Sequence, residues 1–151
     1  MYIILSLCSR PTSLSLFPSG DCAAGWYHIG VRCYKYFENR KPFTDAKESC
    51  ISEGAMLAKM DTQKVNDAVS EFVRGISETS EIWIGLTQAN DQSEWSWIDD
   101  TSSSIVWSKW EVDEPNTGEK CARLRLKANR ESRWYGITCD YAYPYVCEKG
   151  N

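Results

Sequence analysis

Ile82-Trp83-Ile84-Gly85-Leu86 is a short apolar run of β-forming residues, and its reading decides the fold. Its length and composition suit a buried central strand. Before it the periodicity is helical: Val65, Ala68, Val69, Phe72, Val73 and Ile76 line one helix face, with Asp61 or Thr62 to cap it and Gly75 near its end. An earlier helix is predicted from Thr44 as cap, Asp45 in the first turn, Gly54 at the end and an apolar face of Ala46, Cys50 and Ile51. Ahead of that, Trp26 to Tyr36 reads as two short strands around Gly30. After the central run, Thr87 to Lys120 mixes polar and turn residues with Trp95, Trp97, Trp107 and Trp110. That pattern predicts a long structured loop pinned by aromatic anchors, and loops of this length inside a compact domain are usually functional. Strands return at Cys121 to Leu126, where Leu124 and Leu126 alternate with Arg123 and Arg125, and again at Arg133 to Cys139 and Tyr145 to Glu148. Segregated helices and strands indicate an α+β fold with antiparallel sheet.

The 151 residues suffice for one domain with a real core. Seven Trp and eight Tyr supply large buried area per residue, so a small core with much loop can hold. The net charge of −4 argues against nucleic acid as a partner. No run reaches the roughly 20 apolar residues that cross a bilayer. Residues 1–20 read as a signal-like leader or linker: Met1 to Leu7 is apolar, but no Lys or Arg precedes it. Residues 21–151 form the domain. Of seven cysteines, Cys8 is the odd thiol, and the other six allow 15 pairings. A cysteine frame of this density points to an oxidising, extracellular setting. Enzyme chemistry finds little support: His28 is the one histidine, and neither a phosphate loop nor a catalytic motif is present.

Taken in order, these residues resemble the C-type lectin-like domain family. The resemblance rests on Trp26 after the first cysteine, Cys33-Tyr34, the helix with Cys50, and Trp83-Ile84-Gly85-Leu86. It continues through Trp95-Ser96-Trp97, Trp107, Trp110, Glu114-Pro115-Asn116, Cys121, Trp134, Cys139 and Tyr145-Val146-Cys147-Glu148, and so spans about Asp21 to Lys149. The family implies two helices flanking small antiparallel sheets, a long loop region on top, and the pairs Cys50–Cys147 and Cys121–Cys139. It also implies Cys22–Cys33 as the extra bridge of its long form. Sugar-binding members hold a Ca²⁺ in the loop region, and the ion coordinates two sugar hydroxyls. A Glu-Pro-Asn tripeptide with a cis proline is associated there with mannose-type sugars.

Glu114, Asn116 and Glu119 are accordingly the expected metal and carbohydrate ligands. Ca²⁺ takes six to eight oxygens from carboxylates, amide carbonyls, backbone and water. From turn composition alone, Asp113-Glu114-Pro115-Asn116 is simply a polar turn. The chain departs from the family pattern after Trp134: Tyr135 and Gly136 stand where sugar-binding members carry Asn and Asp, both calcium ligands. The expectation is weakened calcium binding, ~10⁻³ M or worse. Glu131, Asp113 or Asp140 are the candidates to replace the missing oxygens. A second calcium site of some family members is expected to be absent, because Gln88, Gln92, Thr117 and Lys120 stand at its acidic positions.

A basic run is the other distinctive feature: Arg123, Arg125, Lys127, Arg130 and Arg133 cluster around the strand after Cys121, with the first three on one face. It is either a solvated sheet face or an anion site, since Arg pairs bidentately with planar anionic groups. Two functions therefore compete. One is a secreted carbohydrate-binding protein of the C-type lectin type, with weak calcium-dependent recognition of mannose-type glycans, including microbial surface polysaccharide, in innate recognition. The other is a calcium-independent interaction domain that binds protein or anionic glycan through Arg123, Arg125 and Lys127.

Overall fold

The computed structural model describes residues 22–99, 105–127 and 131–150; residues 1–20, expected to be a leader or linker and carrying Cys8, and Arg130 of the basic run lie outside them. The chain forms β1 (Tyr27–Ile29), β2 (Arg32–Lys41), α1 (Phe43–Ser52), β3 (Met56–Leu57), α2 (Gln63–Ile76), β4 (Glu81–Gln88), β5 (Trp95–Trp97), β6 (Cys121–Arg125), β7 (Arg133–Ile137) and β8 (Tyr143–Gly150). The strands run in the order β1-β2-β8-β4-β6-β7, with β3 attached to β8 and β5 to β4. Every pairing is antiparallel except β4 with β8, where Trp83 lies beside Tyr145. That one parallel contact joins the two antiparallel halves into a mixed sheet. The disulfides are Cys22–Cys33, Cys50–Cys147 and Cys121–Cys139, the pairs that the resemblance implied.

The central run behaves as its composition demands. Ile82, Trp83, Ile84 and Leu86 are fully buried. Ile82, Ile84 and Leu86 pack in one cluster with Val69 and Val73 of α2, while Trp83 packs in another with Phe43, Ala46 and Cys50 of α1. A strand buried on both faces needs no polar alternation, hence the continuous apolar run. Gly85 has a separate reason to be glycine. A Cβ there would stand 2.6 Å from the Leu57 carbonyl oxygen. The space is taken by backbone: the Gly85 N–H donates to Ala58 O at 2.8 Å, and Ile98 N–H donates to Gly85 O at 2.8 Å.

The helices differ from expectation at their ends. α2 starts as predicted, with Thr62 Oγ1 accepting from Val65 N–H at 3.2 Å. Gly75 lies inside its last turn and Ile76 is exposed. α1 begins at Phe43 after Pro42, with no side-chain cap, so Thr44 does not cap it. The Phe43 N–H instead donates to Cys139 O at 3.0 Å while its ring enters the core. Ile51 leaves the predicted apolar face and is 55% exposed, because one residue beyond buried Cys50 the helix has turned by about 100°.

The stretch between β4 and β6 is held by tryptophans, as predicted. β5 pairs with β4, setting Trp97 opposite Leu86. Trp134 of β7 is fully buried, and the rings of Trp97, Trp107 and Trp110 meet it edge-on at 5.3, 5.7 and 5.5 Å. Its indole N–H donates to Asn66 Oδ1 at 2.9 Å, and Asn66 Nδ2 donates to Ser132 O at 3.1 Å. Asn66 is a polar residue on the core side of α2 that hydrophobic periodicity passes over; burial is tolerated because its amide is bonded at both ends.

Candidate functional site

The edge of β7 positions the turn that carries the expected ligands. Segment 109–111 runs alongside it: Trp134 N–H donates to Lys109 O at 2.8 Å and Glu111 N–H donates to Trp134 O at 3.0 Å. The next outward N–H of β7, at Gly136, donates to Glu114 Oε1 at 2.7 Å. A side-chain carboxylate thus continues the ladder that the backbone began. The Glu114–Pro115 peptide is cis, and Asp113 before it has φ 67°.

Glu114, Asn116 and Glu119 converge. Asn116 Nδ2 donates to Glu114 Oε2 at 3.0 Å and to Glu119 Oε2 at 3.3 Å, and Asn116 N–H donates to Glu119 Oε2 at 3.2 Å. A donor group held between two carboxylates marks a centre of negative potential that suits a cation. Rotating the amide by half a turn would aim its Oδ1 at the same centre; which way such an amide faces follows from its partners. Two carboxylates and one amide oxygen fit a minimal Ca²⁺ site and leave at least half of its six to eight positions to water or ligand hydroxyls. Among the described residues no three of His, Cys, Asp and Glu gather as a metal-binding group.

Gly136 also makes room. A Cβ on it would fall 2.7 Å from Glu119 Oε2 and 3.3 Å from the Pro115 Cβ. The Glu119 carboxylate therefore fills the space that a side chain at 136 would take. Tyr135 points elsewhere: its hydroxyl donates to Glu111 Oε2 at 2.7 Å. Of the three residues named as replacements, Glu131 is committed to Lys109 at 3.0 Å and Arg133 at 3.1 Å. Asp113 and Asp140 are exposed, and no bond ties either of them to the ligand turn.

Glu111 is the residue that sequence reasoning missed. Its carboxylate accepts from Tyr135 Oη, from Lys127 Nζ at 2.9 Å and from Val112 N–H at 3.1 Å, with Arg133 Nε at 3.8 Å. Bonds from Lys127, Tyr135 and the Val112 amide hold it well below the usual carboxylate range, down to about 2. It clamps the start of the ligand turn to β6 and β7. No local motif marks it; only its place three residues before Glu114 hints at the role.

At the positions of the second calcium site, Lys120 supplies the chain's own cation. Its ammonium donates to Asp91, which also accepts from Gly118 N–H at 3.3 Å. The hydrogen bond from Lys120 lowers the Asp91 pKa. Gln88 bonds to Ser93 O at 2.8 Å, within its own loop.

The basic run is largely paired. Arg123 is ion-paired with Glu81 and donates to Tyr143 Oη at 3.2 Å. Lys127 is bound to Glu111. Arg125 Cζ lies 4.4 Å from the centre of the Tyr135 ring, and Arg125 has a single longer ion pair, 3.5 Å, to the same Glu81.

Residues 39–149 match the model of the lectin C-type domain. The chain belongs to the C-type lectin family. It is 32% identical over 131 residues to C-type lectin domain family 4 member E of Mus musculus, covering 84% of this chain and 59% of that protein. It is 35% identical over 129 residues to tetranectin of Homo sapiens, covering 81% and 61%. The chain thus spans about three-fifths of the length of these curated relatives. Among solved structures, a SPL-1–GlcNAc complex aligns with TM-score 0.76 and 26% identity, covering 87% of this chain and 96% of that one. A calcium-independent type II antifreeze protein shares the fold, with TM-score 0.74, 22% identity, and coverage of 86% and 95%. The C-type lectin family is a carbohydrate-binding and non-catalytic one. Its domains often bind Ca²⁺, and calcium-independent proteins share its fold. Among the described residues no helix is long and apolar enough to cross a membrane.

Proposed function

We propose that this C-type lectin domain binds mannose-type glycans through a weak calcium site made by Glu114, Asn116 and Glu119, in a secreted protein that recognises microbial surface polysaccharide. The observation that carries the reading is the meeting of two carboxylates on the Asn116 amide. A bound Ca²⁺ would supply open coordination positions for two neighbouring sugar hydroxyls. Glu114 and Asn116 each have a second polar atom to accept from or donate to those hydroxyls, and the Gly136 N–H holds Glu114 in place for it. Weak affinity follows from the charge count: Tyr135 turns its hydroxyl to Glu111, and Gly136 has no side-chain oxygen to offer the ion. Secretion is favoured by three disulfides, which persist in oxidising compartments.

The test is a calcium titration read by melting temperature, since a ligand of the folded state must stabilise it, by about 1.4 kcal/mol at a tenfold excess over Kd. The wild type should gain stability at millimolar calcium, and Glu114→Gln should abolish the gain. The protein should be retained on mannose resin with calcium and released by chelator. A melting temperature indifferent to saturating calcium overturns the metal reading, and failure to bind any neutral glycan overturns the mannose reading.

A further inference from the structure

The face of β6 and β7 beside the candidate site carries charge that the calcium reading does not use. Strand alternation brings Arg123, Arg125, Tyr135 and Arg133 to it, Lys127 just past β6 joins through Glu111 and the Tyr135 ring, and Lys109 joins through Glu131. The carboxylates that pair with these five cations are Glu81, Glu111 and Glu131. Two positive charges are therefore unmatched on one face of a chain whose net charge is −4. An acidic protein that concentrates excess cations in one place favours anionic ligands there.

The cations differ in what they can offer. Arg123 has a side chain only 12% exposed and is occupied by Glu81 and Tyr143, so its role is to hold β6 against β4 and β8. Arg125 has a side chain 35% exposed, and its Cζ lies 4.4 Å from the centre of the Tyr135 ring. It shares Glu81 with Arg123 and receives only the more distant contact, at 3.5 Å. With one ion pair at 3.5 Å, the guanidinium keeps further N–H donors, and such donors suit a planar or tetrahedral anion. Lys127 Nζ stands 5.4 Å from the centre of the same ring and brings a second charge that it shares with Glu111, 2.9 Å away. Tyr135 is the immediate neighbour of Gly136, whose N–H orients Glu114. Glu111 links the two places: it accepts from Tyr135 Oη and Lys127 Nζ and stands three residues before Glu114.

We infer that Arg125 and Lys127, gathered over Tyr135, form a second subsite that takes the anionic substituent of an acidic glycan. This rests on the carbohydrate-binding reading of the domain but not on its calcium site. Binding should therefore persist in chelator, and the two readings can fail separately. The probe is a heparin octasaccharide, beside its chemically desulfated, still carboxylated counterpart, with affinity measured by calorimetry in EDTA at low and high salt. The wild type should bind the sulfated chain, more weakly as salt screens the contact. Arg125→Gln with Lys127→Gln should lose at least about tenfold in affinity, as expected on removing charged hydrogen-bond donors. Retained binding of the desulfated chain assigns the carboxylate as the recognised group; its loss assigns the sulfate. A second measurement needs no variant: the octasaccharide should protect Arg125 of the wild type from dicarbonyl modification, read by mass spectrometry. Absence of binding to either chain in EDTA, unchanged affinity in the folded double variant, or unprotected Arg125 would overturn the inference.

Discussion

At the scale of single residues, the site depends on groups whose role only their partners reveal. Glu111 is only half-buried, yet it collects Lys127, Tyr135 and its own neighbour's amide, and its carboxyl is lowered to about 2. A folded-state value below the ordinary one of about 4.3 means that the ionised clamp stabilises the fold above that pH. The contribution drains away as pH falls toward 2. We therefore expect Glu111→Gln to flatten the acid limb of the stability curve below about pH 4.5 while changing its shape little at neutral pH. Denaturation midpoints followed from pH 6 to 2 provide the check; parallel curves for both proteins would contradict the clamp. Tyr135→Phe should act in the same direction, since it removes one of the donors that hold Glu111. That Glu114 and Asn116 would sit together was legible through the family's tripeptide, and Glu119 through its place two residues before Cys121; the structure brings all three together. The Gly136 vacancy that admits Glu119 was not legible, because it is a matter of packing between segments distant in the chain.

At the scale of elements, β4 is the axis on which the rest is hung. It is buried on both faces, pairs with β5, β6 and β8, and lets β3 pass close at Gly85. Gly85→Ala would force a methyl group to within 2.6 Å of backbone that cannot swing aside. The expected cost is about 1–3 kcal/mol, the range for overpacking a tight core, read as a lower urea midpoint with an unchanged m-value. A midpoint equal to the wild type would show that β3 can retreat. The central strand and α2 were readable in advance because apolar periodicity is a local property. The start of α1 and the exposure of Ile51 were not. Both depend on where the helix lands against β8 and the Cys139 region, which its own ten residues do not encode.

At the scale of the whole molecule, the chain is closed on itself by Cys50–Cys147, which spans 97 residues. In the chain-entropy account a loop of that size restrains the unfolded state by ~4–5 kcal/mol. Replacing both cysteines with alanine should therefore lower the unfolding free energy substantially, as measured by denaturant titration, whereas loss of Cys22–Cys33, spanning 11 residues, should cost less. Equal losses would argue against the entropic view. The sheet order also places β6 and β7 at one edge, so the ligand turn and the basic face become neighbours.

What the order of residues determined by itself was the scaffold: a buried apolar strand, an amphipathic helix, a loop studded with tryptophan, and cysteines whose pairing the family resemblance supplied. Such features are written in short-range pattern, because burial and periodicity act residue by residue along an element. What only the tertiary structure decided was the state of the charges. Arg123, Arg125 and Lys127 are alike in sequence, yet one is occupied by Glu81 and Tyr143, one lies open over an aromatic ring and one is tied to Glu111. Ion pairs form between groups brought together by folding over tens of residues, and no local pattern can announce which cation will find its carboxylate and which will be left to meet a ligand.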